Sequence, residues 1–121
     1  MTPEAHTSGL GKKGEDKAVE VLEAAGMKVI FRNFRSQRGE IDIIALDGDT
    51  LVFVEVKAWS VFGIENLSYS LSPKKRGRII ETAKYFLSNY RQYYGRAIRF
   101  DVVFVGKKAV THLASAFMER I

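Results

Sequence analysis

The chain has 121 residues, a net charge of +5, no cysteine, 46% hydrophobic and 27% charged residues, which is the length and balance of one globular domain over 1–121, with residues 1–8 expected to be flexible. The lack of cysteine excludes disulfides, thiolate nucleophiles and sulfur-ligated zinc, and no apolar run reaches the roughly 18 residues of a membrane helix, so a cytoplasmic protein with no membrane partner is expected. Charge is uneven: residues 1–60 carry 8 Lys/Arg against 10 Asp/Glu, residues 61–121 carry 11 against 4, which points to a polyanion met by the basic half and acids reserved for a local task in the first.

In chain order, Ala18, Val21, Leu22 and Ala25 recur at helical spacing, predicting a helix from Gly14 to Ala25 that Gly26 stops. Met27 to Phe34 reads as a strand broken by Ser36-Gln37-Arg38-Gly39, and a second strand runs from Glu40 to Leu46. Asp47-Gly48-Asp49 is a tight-turn sequence, and the apolar run from Leu51 to Lys57 completes a hairpin. Ala58 to Leu71 has no period and reads as loop, mobile near the site. Ser72-Pro73 is a favoured helix start, after which Ile79, Ile80, Ala83, Phe86, Leu87 and Tyr90 form one apolar stripe to about Gly95. Ile98 to Val105 is a strand with an interior end, and Gly106-Lys107 turns the chain toward a short optional strand from Ala109 to Leu113. The order is α-β-β-β-α-β.

Charges sit where these strands should be apolar. Glu40 and Asp42 share one strand face, and so do Glu55 and Lys57, since side chains alternate along a strand. An antiparallel hairpin turning near Gly48 and Asp49 brings Asp42 opposite Glu55 and Lys57. Three acids and one lysine leave an excess of negative charge, which a divalent cation neutralises. Oxygen ligands without Cys or His favour Mg²⁺ or Mn²⁺. Such an ion keeps open positions for water and a phosphate oxygen, as phosphodiester hydrolysis needs, and Lys57 beside it can orient the water or stabilise transition-state charge. A structural cross-strand ion pair of Lys57 with Glu40 or Asp42 is the alternative.

An acid, a gap and Glu-x-Lys resemble the PD-(D/E)xK nuclease superfamily. More closely, Gly11-x-x-Gly14-Glu15, Asn33-Phe34-Arg35, Gly39-Glu40-Ile41-Asp42-Ile43-Ile44 and Phe53-Val54-Glu55-Val56-Lys57 resemble the YraN-like bacterial proteins from about Gly9 to Val105. The resemblance implies an α/β, restriction-endonuclease-like core with a central mixed sheet flanked by helices, akin to Holliday junction resolvases. It implies Asp42 and Glu55 as metal ligands, Lys57 as catalytic lysine, and Glu15 as the additional acid that resolvase-like members carry on the first helix. Glu15, Ala18 and Leu22 share a helix face, which sets the acid beside the core; an acid placed there only by the helix dipole is the alternative. Ile41 stands where the pattern's name has proline.

Lys74, Lys75, Arg76 and Arg78 crowd the start of the second long helix, where positive charge opposes the helix dipole. Free backbone N–H groups and four cations together make a phosphate-binding end for nucleic acid. Tyr85, Phe86, Tyr90, Tyr93 and Tyr94 interleave with Arg91 and Arg96 on the same segment, which suits base stacking, with core packing the better reading for Phe86 and Tyr90 and a homodimer contact the alternative for Tyr93 and Tyr94. Asp101, at the mouth of a strand, can reach the site or pair with Arg99 or Lys57. Gly9-Leu10-Gly11-Lys12-Lys13-Gly14 matches a dinucleotide-binding pattern but has no strand before it. The leading expectation is a Mg²⁺- or Mn²⁺-dependent nuclease acting on DNA, branched or repair-intermediate DNA among its substrates. The rivals are a non-catalytic nucleic-acid-binding module of the same fold and an RNA-directed nuclease.

Overall fold

The computed structural model describes residues 11–58 and 71–117; residues 1–8 and all but the ends of the expected loop from Ala58 to Leu71 lie outside that description. Helix α1 spans Gly11–Ala24. Its end is built by Gly26, whose φ of +93° suits a residue without Cβ. The Gly26 N–H donates to the Glu23 carbonyl (2.9 Å) and the Met27 N–H to Leu22 (3.0 Å), while buried Met27 packs in the same cluster as Leu22. This is the paired closure with hydrophobic contact that stops a helix at glycine.

Five strands follow in spatial order β1-β2-β3-β4-β5: Lys28–Arg35, Glu40–Asp47, Thr50–Ala58, Ile98–Val105 and Val110–Phe117. β1 and β2 are antiparallel, as are β2 and β3, and β4 and β5; β3 and β4 run parallel. The sheet is thus mixed, and the parallel pair needs a crossover, on which helix α2 (Pro73–Asn89) lies. Ser72 caps α2 as expected, its Oγ accepting the Lys75 N–H at 3.3 Å, with Pro73 at the first position.

Helices on both faces explain why β3 is buried from Leu51 to Val56. Phe53 joins Phe86, Phe100, Leu51 and Ile79 on the α2 side, and Val52, Val54 and Val56 join Ala18, Leu22 and Val103 on the α1 side. Glu55 and Lys57 therefore point toward α2.

Three expected boundaries shift, and at the first α1 begins at Gly11 rather than Gly14. α2 stops at Asn89 rather than Gly95, and Arg91–Tyr93 form a short 3-10 turn. Tyr90 leaves the helix to stack on Phe86 (4.8 Å between centroids) and meet Phe31 (4.8 Å), so aromatic packing sets the end. β5 runs on to Phe117, beyond Leu113, because Phe117 stacks on Phe100 at 4.7 Å. No helix among the described residues is long and apolar enough to cross a membrane.

Candidate active site at the fork of two strands

The β2–β3 ladder pairs Asp47 with Thr50 and continues to Ile43 with Val54. There it opens. The Val56 N–H, which a longer ladder would give to a β2 carbonyl, donates instead to Asp42 Oδ2 at 2.8 Å in a buried bond. Strand alternation lapses at the same level: Ile43 packs on the α1 side, yet both Ile41 and Ile44 pack on the α2 side. Across β1, Asn33 lies between the Arg32–Ile43 and Phe34–Ile41 pairs and takes a φ of +55°, a conformation that asparagine tolerates better than most residues. The two strands fork around an acid.

Asp42 and Glu55 are both buried at this fork. Burial first, and the Asp42 charge next, push the Glu55 carboxyl up to about 8, with Lys75 and Lys57 opposing. Burial likewise raises Asp42 to about 6, against the Val56 N–H, while Glu40 and Glu15 add to the rise. Lys75 Nζ lies 3.5 Å and Lys57 Nζ 3.9 Å from the same Glu55 oxygen, Oε2. Both stand back from the roughly 2.8 Å of a closed charge-assisted bond, so they offset the desolvation only in part. Glu55 Oε1 is buried with no hydrogen-bond partner among the described residues. Burial first and Lys75 next lower the Lys57 ammonium below its ordinary value, with Glu55 opposing.

A cavity of about 270 Å³ opens here, lined by Glu40, Asp42, Glu55, Lys75 and Arg78 among others. Lys75 and Arg78 from α2 thus face the acids of the sheet. Gly39 packs under Arg78, and a Cβ there would meet Arg78 Cβ and Thr82 Oγ1 at 3.4 Å each. Ser36 Oγ and Thr82 Oγ1, 3.1 Å apart, tie the β1–β2 turn to the helix.

The remaining expected residues fall as follows. Glu15 is buried, but its Oε1 accepts from Arg32 Nε at 2.9 Å and Asn33 Nδ2 at 3.0 Å; it acts on Asp42 through its charge. Lys74 is exposed, and the Arg76 guanidinium lies 5.9 Å over the Phe117 ring. Of the expected free N–H groups at the start of α2, that of Lys75 goes to Ser72 Oγ, so the backbone end is capped in part. Asp101 does not join the acids of the fork. It accepts two bonds from Arg99 (2.9 and 3.0 Å), one from the Ser115 N–H (3.0 Å), and lies 2.7 Å from His112 Nε2. Reasoning from the sequence missed the Asp42–Val56 bond, the part of Asn33, and Lys75 as a partner of Glu55. The left-handed tendency of an asparagine inside a strand was the one available signal.

The sequence model of the uncharacterised protein family UPF0102 matches residues 14–105. The chain belongs to that family. Among similar UPF0102 proteins, one from Persephonella marina is 43% identical over 107 residues, covering 88% of this chain and 91% of its own. One from Acinetobacter baylyi is 42% identical over 98 residues, 81% of this chain and 70% of its own. One from Treponema denticola is 39% identical over 122 residues, 89% and 94% respectively. The UPF0102 match spans Glu15, the fork and the whole of α2.

The donor set suits a hard divalent cation. Among the described residues no three His, Asp or Glu side chains converge as a cage. Mg²⁺, though, is commonly held by one or two carboxylates, with water and substrate phosphate completing its shell. The buried, unpartnered Glu55 Oε1 next to Asp42 is where such a ion fits.

Proposed function

We propose that this UPF0102 protein is a Mg²⁺- or Mn²⁺-dependent nuclease with a restriction-endonuclease-like core that hydrolyses phosphodiester bonds of DNA. The observation that carries the reading is Glu55: a carboxylate buried beside Asp42, with one oxygen unpartnered and the other approached by two lysines. A purely structural glutamate buried at such cost would be closed by direct bonds.

Asp42 and Glu55 would hold the cation, which when bound supplies charge neutralisation for the phosphate and a more acidic water. Lys57, its ammonium made easier to deprotonate by burial, sits at the carboxylate to position the attacking water and receive its proton. The water oxygen bonds to phosphorus as one ester P–O bond breaks, and the leaving oxygen takes a proton from solvent. Lys75 and Arg78 neutralise the phosphate from the α2 side of the cavity. Glu15 holds Arg32 and Asn33, and so keeps the bent strand beside Asp42 in place.

The test is purified protein with Mg²⁺ or Mn²⁺ on duplex, single-stranded and four-way-junction DNA and on RNA. DNA cleavage is expected, reduced on the order of 10²-fold or more in Glu55→Ala and Lys57→Ala. Cleavage that survives both substitutions, or the absence of cleavage on every one of these substrates, overturns the reading; the latter leaves a non-catalytic binding module. Preference for RNA over every DNA would redirect the substrate assignment.

A further inference from the structure

The N-terminal half of α2 serves the fork; its C-terminal half and the segment after Asn89 carry features that the fork does not use. Tyr85 and Tyr94 are the large apolar side chains left exposed among the described residues, at 49% and 67%. Tyr85 leans on Phe34 with centroids 6.0 Å apart, so the core backs one side of its ring. Tyr94 lies under the Arg91 guanidinium at 5.8 Å, and Arg96 lies 5.5 Å over neighbouring Tyr93.

Two depressions open beside these rings. One of about 570 Å³ is bordered by Arg38, Lys84 and Tyr85; the other, about 490 Å³, by Lys84, Tyr94 and Arg96. Lys84 and Ser88 border both, so the two form one furrow along the outer side of α2. At its near end Arg38 adjoins Gly39, which lines the acidic cavity together with Arg78. From Arg78 to Ser88 the helix rises about 15 Å.

Arg38 and Lys84 border the first depression with Glu81, which lies 3.5 Å from Lys84, and Arg96 borders the second with Asp49 at 3.7 Å, while Arg91 lies over Tyr94. Cations interleaved with exposed rings are the chemistry that grips a single strand: phosphates take the charges and unpaired bases take the ring faces. A duplex hides its base faces within the stack and has no use for the tyrosines. A second copy of the chain docked there about a two-fold axis would bring one net-positive face against another, which is disfavoured.

We propose that this furrow binds a single-stranded segment of nucleic acid, with bases stacked on Tyr85 and Tyr94 and phosphates on Arg38, Lys84 and Arg96. Resting on the nuclease reading for what lies at its near end, the proposal makes the substrate one with a single-stranded arm leading to the fork.

The test is fluorescence anisotropy without divalent metal, using labelled oligothymidylate and oligouridylate of about 20 nucleotides and a blunt duplex of equal length. The Tyr85→Ala/Tyr94→Ala pair should bind the single strands at least about tenfold more weakly. Duplex binding should stay unchanged, and Tyr85→Phe/Tyr94→Phe should keep wild-type affinity because it keeps the rings. Comparison of the two oligonucleotides shows whether DNA or RNA is the better ligand. Single-strand affinity unaltered in the alanine pair overturns the proposal. So does light scattering that shows a wild-type dimer turned to monomer by the same substitutions, which would make the surface an interface between copies. A protein that cuts nothing yet loses single-strand binding with the tyrosines would retire the nuclease reading and support this one.

Discussion

Burial favours the neutral form of Glu55 in the absence of a cation, and this has a sign that can be measured. Its carboxyl is raised from 4.5 to about 8, burial being the largest cause. Between those values the folded protein binds a proton that the unfolded chain has released. The stability gained is complete below 4.5 and lost as pH rises through 8. Asp42, raised from 3.8 to about 6, adds the lower part of the same fall. Thermal denaturation of the metal-free protein should therefore show Tm dropping across this window. Glu55→Gln should flatten the upper part and raise stability near pH 8 by about 1–3 kcal/mol while abolishing cleavage. A cation needs both carboxylates ionised, so stabilisation by added Mn²⁺ should grow from pH 6 to pH 8 and release protons in calorimetry. A pH-independent metal shift would place the ion elsewhere.

Among elements, the end of β4 and the bulged β5 depend on a side chain rather than on a continuous ladder. Pairing of the two strands shifts between Phe100 and Val102, and Ser115 takes a φ of +53°. The Asp101 carboxylate, fully buried, bonds the Ser115 N–H that the irregular ladder leaves over, and holds Arg99 and His112. Arg99 in turn reaches Asp47 at 2.9 Å, joining the β2–β3 turn to β4. Replacing one partner of a buried charged pair strands the other, so Asp101→Ala should cost about 2–4 kcal/mol in urea denaturation, discounted for the partial exposure of Arg99. Because the cluster is separate from the fork, kcat per folded molecule should be unchanged; a large loss of kcat would tie Asp101 to the chemistry after all.

For the molecule as a whole, the basic excess of residues 61–121 gathers on α2 and the segment after it, beside the acids of β2 and β3. A phosphate chain drawn along this face would release counterions, and each contact adds about 0.9 to the salt slope on duplex DNA. Replacing Lys74, Lys75 and Arg78 with Ala should lower that slope by up to about 3 and weaken binding evenly across sequences. An unchanged slope would show that these cations never meet phosphate.

Periodicity and turn residues located both helices and four strands, and offered the fifth only as an optional short one; the end of α2 fell six residues short of Gly95. Each element buries a face whose spacing is written locally: Ala18 and Leu22 on α1, Ile79, Ala83 and Phe86 on α2, the unbroken apolar run of β3. The hairpin count also carried Asp42 to the region of Glu55 and Lys57, since a two-residue turn at Gly48 and Asp49 leaves one antiparallel register, whose ladder runs as far as Ile43 and Val54. Tertiary contacts decided the rest. That the ladder opens at Ile43, so that Asp42 bonds Val56 across the gap, depends on a kink at Asn33 in another strand. Lys75 meets Glu55 because α2 packs over that end of the sheet, while Asp101 turns to the other face and Glu15 closes on Arg32. A sequence states which groups are costly to bury; which of them find partners, and which oxygen is left without one, is settled only when distant elements pack together.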